Sequence, residues 1–185
     1  MVLDANTLDG TEADACLAVN SGVACTIMVA DCLPVLMCDT SGHWVAAAHA
    51  GWRGLAGEGG TGVLESLLDQ PALRNTPPDN ILVWLGPCIG PQAFEVGEEV
   101  REAFCINNPD AAAYFKPGGA GKWLADLAGL ARRRLRRRGL SRVFGNDSQS
   151  AWCTVTQASR FFSHRRDSRV LGHTGRMAAC IWLSR

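Results

Sequence analysis

The chain carries no net charge, because its 18 basic and 18 acidic residues cancel. That balance excludes the classes that rely on a strongly basic domain, so neither nucleic acid nor a charged membrane surface is expected as a partner. No apolar run approaches the ~20 residues needed to cross a bilayer. The opening residues, Met1-Val2-Leu3-Asp4-Ala5-Asn6, have neither the basic flank nor the apolar stretch of an export signal. The expected location is therefore the cytoplasm. Imidazoles are scarce as well: His43, His49, His164 and His173 are the only four, too few for metal centres that draw on many histidines.

What is present suits a globular enzyme. The 185 residues are 47% hydrophobic and 19% charged, enough for one domain with a covered core and too apolar for a disordered chain. Eight cysteines do not make a disulfide framework at this length and without an export signal. Several sit in apolar runs, as Cys25 does in CTIMV and Cys180 in AACIWL, where a free thiol packs as a small hydrophobe. A functional cysteine must be recognised by its surroundings.

Apolar runs at 25–29, 34–38, 44–48, 81–85 and 177–183 predict mostly buried strands, with Asp39-Thr40-Ser41-Gly42 as a hairpin loop. Helices are predicted at 62–69, 98–104 and 124–135. In the last, Leu124, Leu127, Ala128, Ala131 and Leu135 recur at helical spacing and Gly139 supplies a stop. Its arginines, 132–134 and 136–138, read as a solvated face complementing the helix dipole.

Two stretches interrupt the apolar pattern with reactive groups. Ala30-Asp31-Cys32-Leu33-Pro34 ends one strand in a carboxylate and a thiol. Ala48-His49-Ala50-Gly51-Trp52-Arg53-Gly54 ends another in an imidazole. The hairpin between them lets these flanks meet. Thiolate and imidazole are zinc ligands, and imidazole can also activate a thiol as a nucleophile. The same residues also fit plain packing, as a core thiol and a satisfied core histidine. Cys88, in Gly86-Pro87-Cys88-Ile89-Gly90-Pro91, fits a further ligand or, better, a packed thiol. The tail Phe161-Phe162-Ser163-His164-Arg165-Arg166-Asp167, followed by Thr174-Gly175-Arg176-Met177, fits either an anion site or an ion-pair cluster.

At these residues the chain resembles the YfiH family, also called the laccase-domain or multicopper polyphenol oxidase family. The matching segments are ADCLPVL (30–36), HAGWRG (49–54), GPCIGPQAFEVG (86–97), FFSHRRD (161–167) and TGRMAACIWL (174–183). The resemblance implies a mixed α/β fold layered as an α-β-β-α sandwich, and a zinc (or copper) held by one cysteine and two histidines. It places Cys32 on the metal cysteine and His49 on one metal histidine.

The activities it implies are phosphorolysis of adenosine, inosine and methylthioadenosine, together with adenosine deamination, so purine nucleoside and phosphate are the implied partners. Arg53 is the candidate for anion binding, and Asp31 for orienting a ligand. A cysteine hydrolase using Cys32 and His49, in peptidoglycan editing or on a side-chain amide, is the alternative. A copper-dependent polyphenol oxidase ranks below both, given four histidines.

The family's other metal histidine lies in a Gln-Val-His segment upstream of the stretch matching Ala13-Asp14-Ala15. Twelve residues precede Ala13 here and none is histidine. None of His43, His164 or His173 falls on that motif. The expectation is a single catalytic domain, 1–185, lacking the usual N-terminal segment, with weakened metal affinity, as monomer or homodimer.

Overall fold

The computed structural model describes residues 1–4, 6–8 and 11–184. Strands are β1 (Val2–Leu3), β2 (Ala15–Ala18), β3 (Ala24–Val29), β4 (Leu33–Asp39), β5 (Val45–Ala50), β6 (Ile81–Leu85), β7 (Glu95–Val96), β8 (Phe115–Pro117), β9 (Trp123–Ala125), β10 (Val143–Gly145) and β11 (Met177–Trp182). Helices are α1 (Trp52–Ala56), α2 (Val63–Leu68), α3 (Glu98–Cys105), α4 (Leu127–Arg137) and α5 (His164–Leu171). Together they make one mixed α/β domain.

A six-stranded sheet ordered β1-β2-β5-β4-β6-β10 forms the centre. The predicted hairpin joins β4 to β5 antiparallel, and Gly42 takes φ +73° in its turn, a conformation that favours glycine. Alternation along β4 and β5 splits the core in two. Leu33, Val35, Met37, Ala46 and Ala48 face Leu55, Leu64, Leu67, Leu127 and Leu135 of the helices. Val45 and Ala47 face Cys25, Ile27 and Val29 of an antiparallel ribbon made by β3 and β11. Fully burying each large apolar side chain contributes roughly 1.5–3 kcal/mol.

The ribbon corrects one expectation. Its strands are not buried on both sides: β3 alternates exposed and buried, and β11 has no fully buried residue. Met28 and Trp182 are 62% and 61% exposed on its outer face, where Cys180 also lies, so Cys180 is not the core thiol its apolar run suggested. Among the described residues no helix covers that face.

Two further expectations change. The long helix begins at Leu127, because Leu124 belongs to β9 and Asp126 caps the helix, its carboxylate accepting from the Gly129 N–H at 2.8 Å. Its arginines are not all a solvated face. Arg134 is buried and pairs with Glu65 at 2.9 Å, Arg133 is buried and pairs with Asp110 at 2.6 Å, and Arg132 donates to the carbonyls of Val143, Gly145 and Asn146. These guanidiniums fasten the helix to its neighbours, and Arg136, Arg137 and Arg138 remain at the surface.

Candidate metal and anion site

Cys32 stands between β3 and β4, directly after a tight turn. Asp31 makes that turn at φ +85°, a conformation few residues other than glycine, asparagine and aspartate adopt. The turn is held by the Asp31 carboxylate, which is buried. It accepts hydrogen bonds from Thr154 Oγ1 (2.5 Å), Ser163 Oγ (3.1 Å) and the Arg165 main-chain N–H (2.6 Å), and the Asp31 carbonyl accepts from the Ile89 N–H (2.9 Å). A buried carboxylate is tolerable only with such donors.

His49 lies on β5, opposite Pro34 of β4. Period-two alternation places it with Val45 and Ala47 on the ribbon side, the side to which Cys32 also belongs. The two groups meet over Gly51. A methyl placed on Gly51 would lie 3.1 Å from Cys32 Sγ and 3.9 Å from His49 Cε1, so the missing side chain leaves a small space flanked by thiol and imidazole. The His49 side chain is 38% exposed, its Nδ1 is 4.0 Å from an Asp14 carboxylate oxygen, and its main-chain N–H donates to the Asp14 carbonyl at 2.7 Å.

Burial pushes the Cys32 thiol up, the Asp31 carboxylate adds to this, and Arg176 opposes it. No hydrogen bond joins Cys32 to His49 among the described residues, so the geometry does not display the poised thiol–imidazole pair of a cysteine nucleophile.

Thiol and imidazole are the donor types zinc prefers, and Cys32 and His49 both border Gly51. Among the described residues, however, no third histidine, cysteine or carboxylate completes a cluster. The described residues thus bring together two groups of zinc-binding type here, where a catalytic zinc ordinarily has three protein ligands.

Arg53 does not join that pair. Its guanidinium stacks on the Trp52 ring at 4.5 Å and makes no hydrogen bond to Cys32 or His49. It lines a cleft of about 400 Å³ with Trp52, Phe94 and Arg165. Cys88 is buried, its thiol pushed up by burial, and it accepts from Asn146 Nδ2 at 3.4 Å, which is the packed-thiol reading. The tail arginines divide. Arg166 pairs with Asp167 at 2.6 Å and donates to the carbonyls of Thr154, Val155 and Phe161, whereas the Arg165 guanidinium turns toward the cleft and, among the described residues, donates only to the Glu95 carbonyl.

Sequence reasoning missed Thr154 and Ser163, the partners of Asp31. A signal existed for Ser163: a serine at the start and Gly172, at φ +72°, at the end bracket α5, which the periodicity did not reveal.

The family described as multi-copper polyphenol oxidoreductase laccase matches residues 1–184, and the chain belongs to it. A purine nucleoside phosphorylase of Pseudomonas aeruginosa is 49% identical over 98% of this chain and 69% of its own length. The Escherichia coli purine nucleoside phosphorylase YfiH is 51% identical over 92% of this chain and 64% of its own. Among solved structures, a Neisseria meningitidis protein of the DUF152 family superposes with a TM-score of 0.82 at 49% identity, covering 94% of this chain and 66% of that one. The chain therefore spans about two thirds of the length of these relatives.

Proposed function

We propose that this chain forms the catalytic body of a metal-dependent purine nucleoside phosphorylase. The observation that carries the reading is the meeting of Cys32 and His49 over Gly51, in a chain about half identical to relatives named for that activity. The reaction joins purine nucleoside and phosphate to give free purine and pentose 1-phosphate. Adenosine, inosine and methylthioadenosine are the proposed substrates, and deamination of adenosine is the proposed second activity.

Cys32 Sγ and the His49 imidazole would hold the metal, zinc in the first instance and copper as the alternative. When bound, zinc supplies Lewis acidity toward an oxygen of water or phosphate. The chain's own residues do the rest. Asp31 keeps Cys32 at the strand end by anchoring the turn, and the Asp14 carbonyl, accepting from the His49 main-chain N–H, holds that strand residue in place.

The test is metal analysis combined with product chromatography on inosine and adenosine in phosphate buffer. Release of hypoxanthine with pentose 1-phosphate, abolished by chelator, is the expected outcome. Protein carrying stoichiometric zinc that leaves both nucleosides unchanged overturns the reading. Activity that survives chelator and dies on thiol alkylation assigns the chemistry to Cys32 as a nucleophile instead.

A further inference from the structure

Two clefts in this molecule are each ringed by four cationic side chains, and they differ in one respect. In the smaller, about 220 Å³ beside α4, every arginine has a partner. Arg133 pairs with Asp110, Arg134 with Glu65, Arg138 with Asp69, and Arg137 donates to the Asn108 side chain. The larger, about 400 Å³, is lined by Arg53, Lys122, Arg165 and Arg169. Among the described residues none of these four forms an ion pair within 4 Å. Glu95 and Glu99 also line the cleft, leaving cations in excess by two. Lone exposed arginines such as Arg136 need no partner, but four cations sharing one concavity with two carboxylates leave a net positive field that draws an anion.

The cleft is also built, with Phe94 buried in its wall beneath the Arg165 guanidinium and Trp52 beneath Arg53. Stacking uses the face of a guanidinium and not its edge, so N–H donors remain for a tetrahedral oxyanion, at Arg165 those beyond the one given to the Glu95 carbonyl. Two paths tie the cleft to the thiol–imidazole pair, one along the chain and one through a hydrogen bond. Gly51, over which Cys32 and His49 meet, is followed directly by Trp52 and Arg53. Asp31, which precedes Cys32, fixes the first turn of α5 through the Arg165 N–H, and so sets where the Arg165 side chain stands.

We propose that this cleft binds a phosphoryl group, either inorganic phosphate or the phosphate of a pentose phosphate, with Arg53 and Arg165 as its main donors. The choice of phosphate over other oxyanions rests on the phosphorolytic reading of the neighbouring pair. The existence of an anion site rests on the unpaired cations alone.

Calorimetric titration with inorganic phosphate tests it. The wild-type chain should bind, the Arg53→Met/Arg165→Met double variant should bind at least about tenfold more weakly, and Arg136→Met, on the exposed face of α4, should match wild type. If the double variant does not fold, Lys122→Met/Arg169→Met carries the same expectation. No binding to wild type by ~10 mM phosphate, or equal binding by wild type and double variant, overturns the proposal. So does equal loss in the Arg136 variant, which would mark a general charge effect.

Competition with ribose 1-phosphate separates the two sources: tighter binding than phosphate makes the sugar phosphate the resident, weaker binding makes it phosphate. Nucleoside turnover distinguishes the two claims. Loss of phosphate binding in the double variant, with no cleavage of inosine or adenosine by any zinc-loaded form, supports the cleft and overturns the proposed function. Phosphorolysis with an unchanged KM for phosphate in the double variant overturns the cleft and supports the function.

Discussion

The main-chain N–H of Arg165 donates to the Asp31 carboxylate at 2.6 Å across 134 residues of sequence. This contact binds the turn before Cys32 to the first turn of the helix whose side chains line the cationic cleft. The thiol and the cleft are in that sense two ends of one anchored unit.

Asp31→Ala should cost about 2–4 kcal/mol, since it strands two hydroxyls and one main-chain N–H in the interior. Asp31→Asn should cost less, because asparagine tolerates the positive φ and keeps one carbonyl acceptor. Urea denaturation of the two variants gives the comparison, and equal losses would argue against the anchor.

Gly51→Ala puts a methyl 3.1 Å from Cys32 Sγ. Its φ of −64° suits alanine, so stability should change by less than about 1 kcal/mol. Zinc affinity should fall by at least about tenfold as the thiol is displaced. Zinc titration beside a thermal melt separates the two effects. Unchanged affinity would mean that the metal is not held over this glycine.

Arg134→Met leaves the half-buried Glu65 carboxylate with only the Gly62 N–H as partner and frees the carbonyls of Ala56 and Gly60. A loss of about 3–5 kcal/mol is expected. The double variant Arg134→Met/Glu65→Leu should recover a large part of it, because no charge is then stranded. A denaturant series on the three proteins reads this directly.

The Arg166 guanidinium beside Asp167 holds that carboxyl below the usual carboxylate range. In the unfolded chain the group titrates near its ordinary value of about 4. The native state thus binds the proton less readily than the unfolded state. The stabilisation is present above about pH 4 and is lost as pH falls through the depressed native value. Asp167→Asn should melt lower than wild type near neutrality and show a shallower decline in acid. Parallel curves of melting temperature against pH would contradict the pairing.

Much of the fold was legible along the chain. The runs that became β3, β4, β5, β6 and β11, the loop at Gly42 and the stop at Gly139 all follow from local periodicity and turn chemistry. The short strands β7 to β10 and the helix α1 were not, because segments of two to five residues hold too little periodicity to declare themselves. Asp126 illustrates the limit. The apolar spacing runs through Leu124 without a break, and only a capping carboxylate sets the helix start.

The residues of the candidate site divide the same way. Cys32 and His49 stand at strand ends joined by a short hairpin, so their neighbourhood is a local matter, set by the order of side chains and by alternation along two paired strands. What stands opposite a charge is not local. Arg165 and Arg166 are adjacent and chemically identical, yet one is tied to Asp167 and the other faces the cleft. The arginines of α4 look like a solvated face in the sequence, and half of them are fastened inward by carboxylates and carbonyls from distant segments. Hydrophobic pattern and turn chemistry act between near neighbours and can be read one residue after another. The pairing of charges depends on which remote groups the folded chain brings within a few ångströms, and only the tertiary structure decides that.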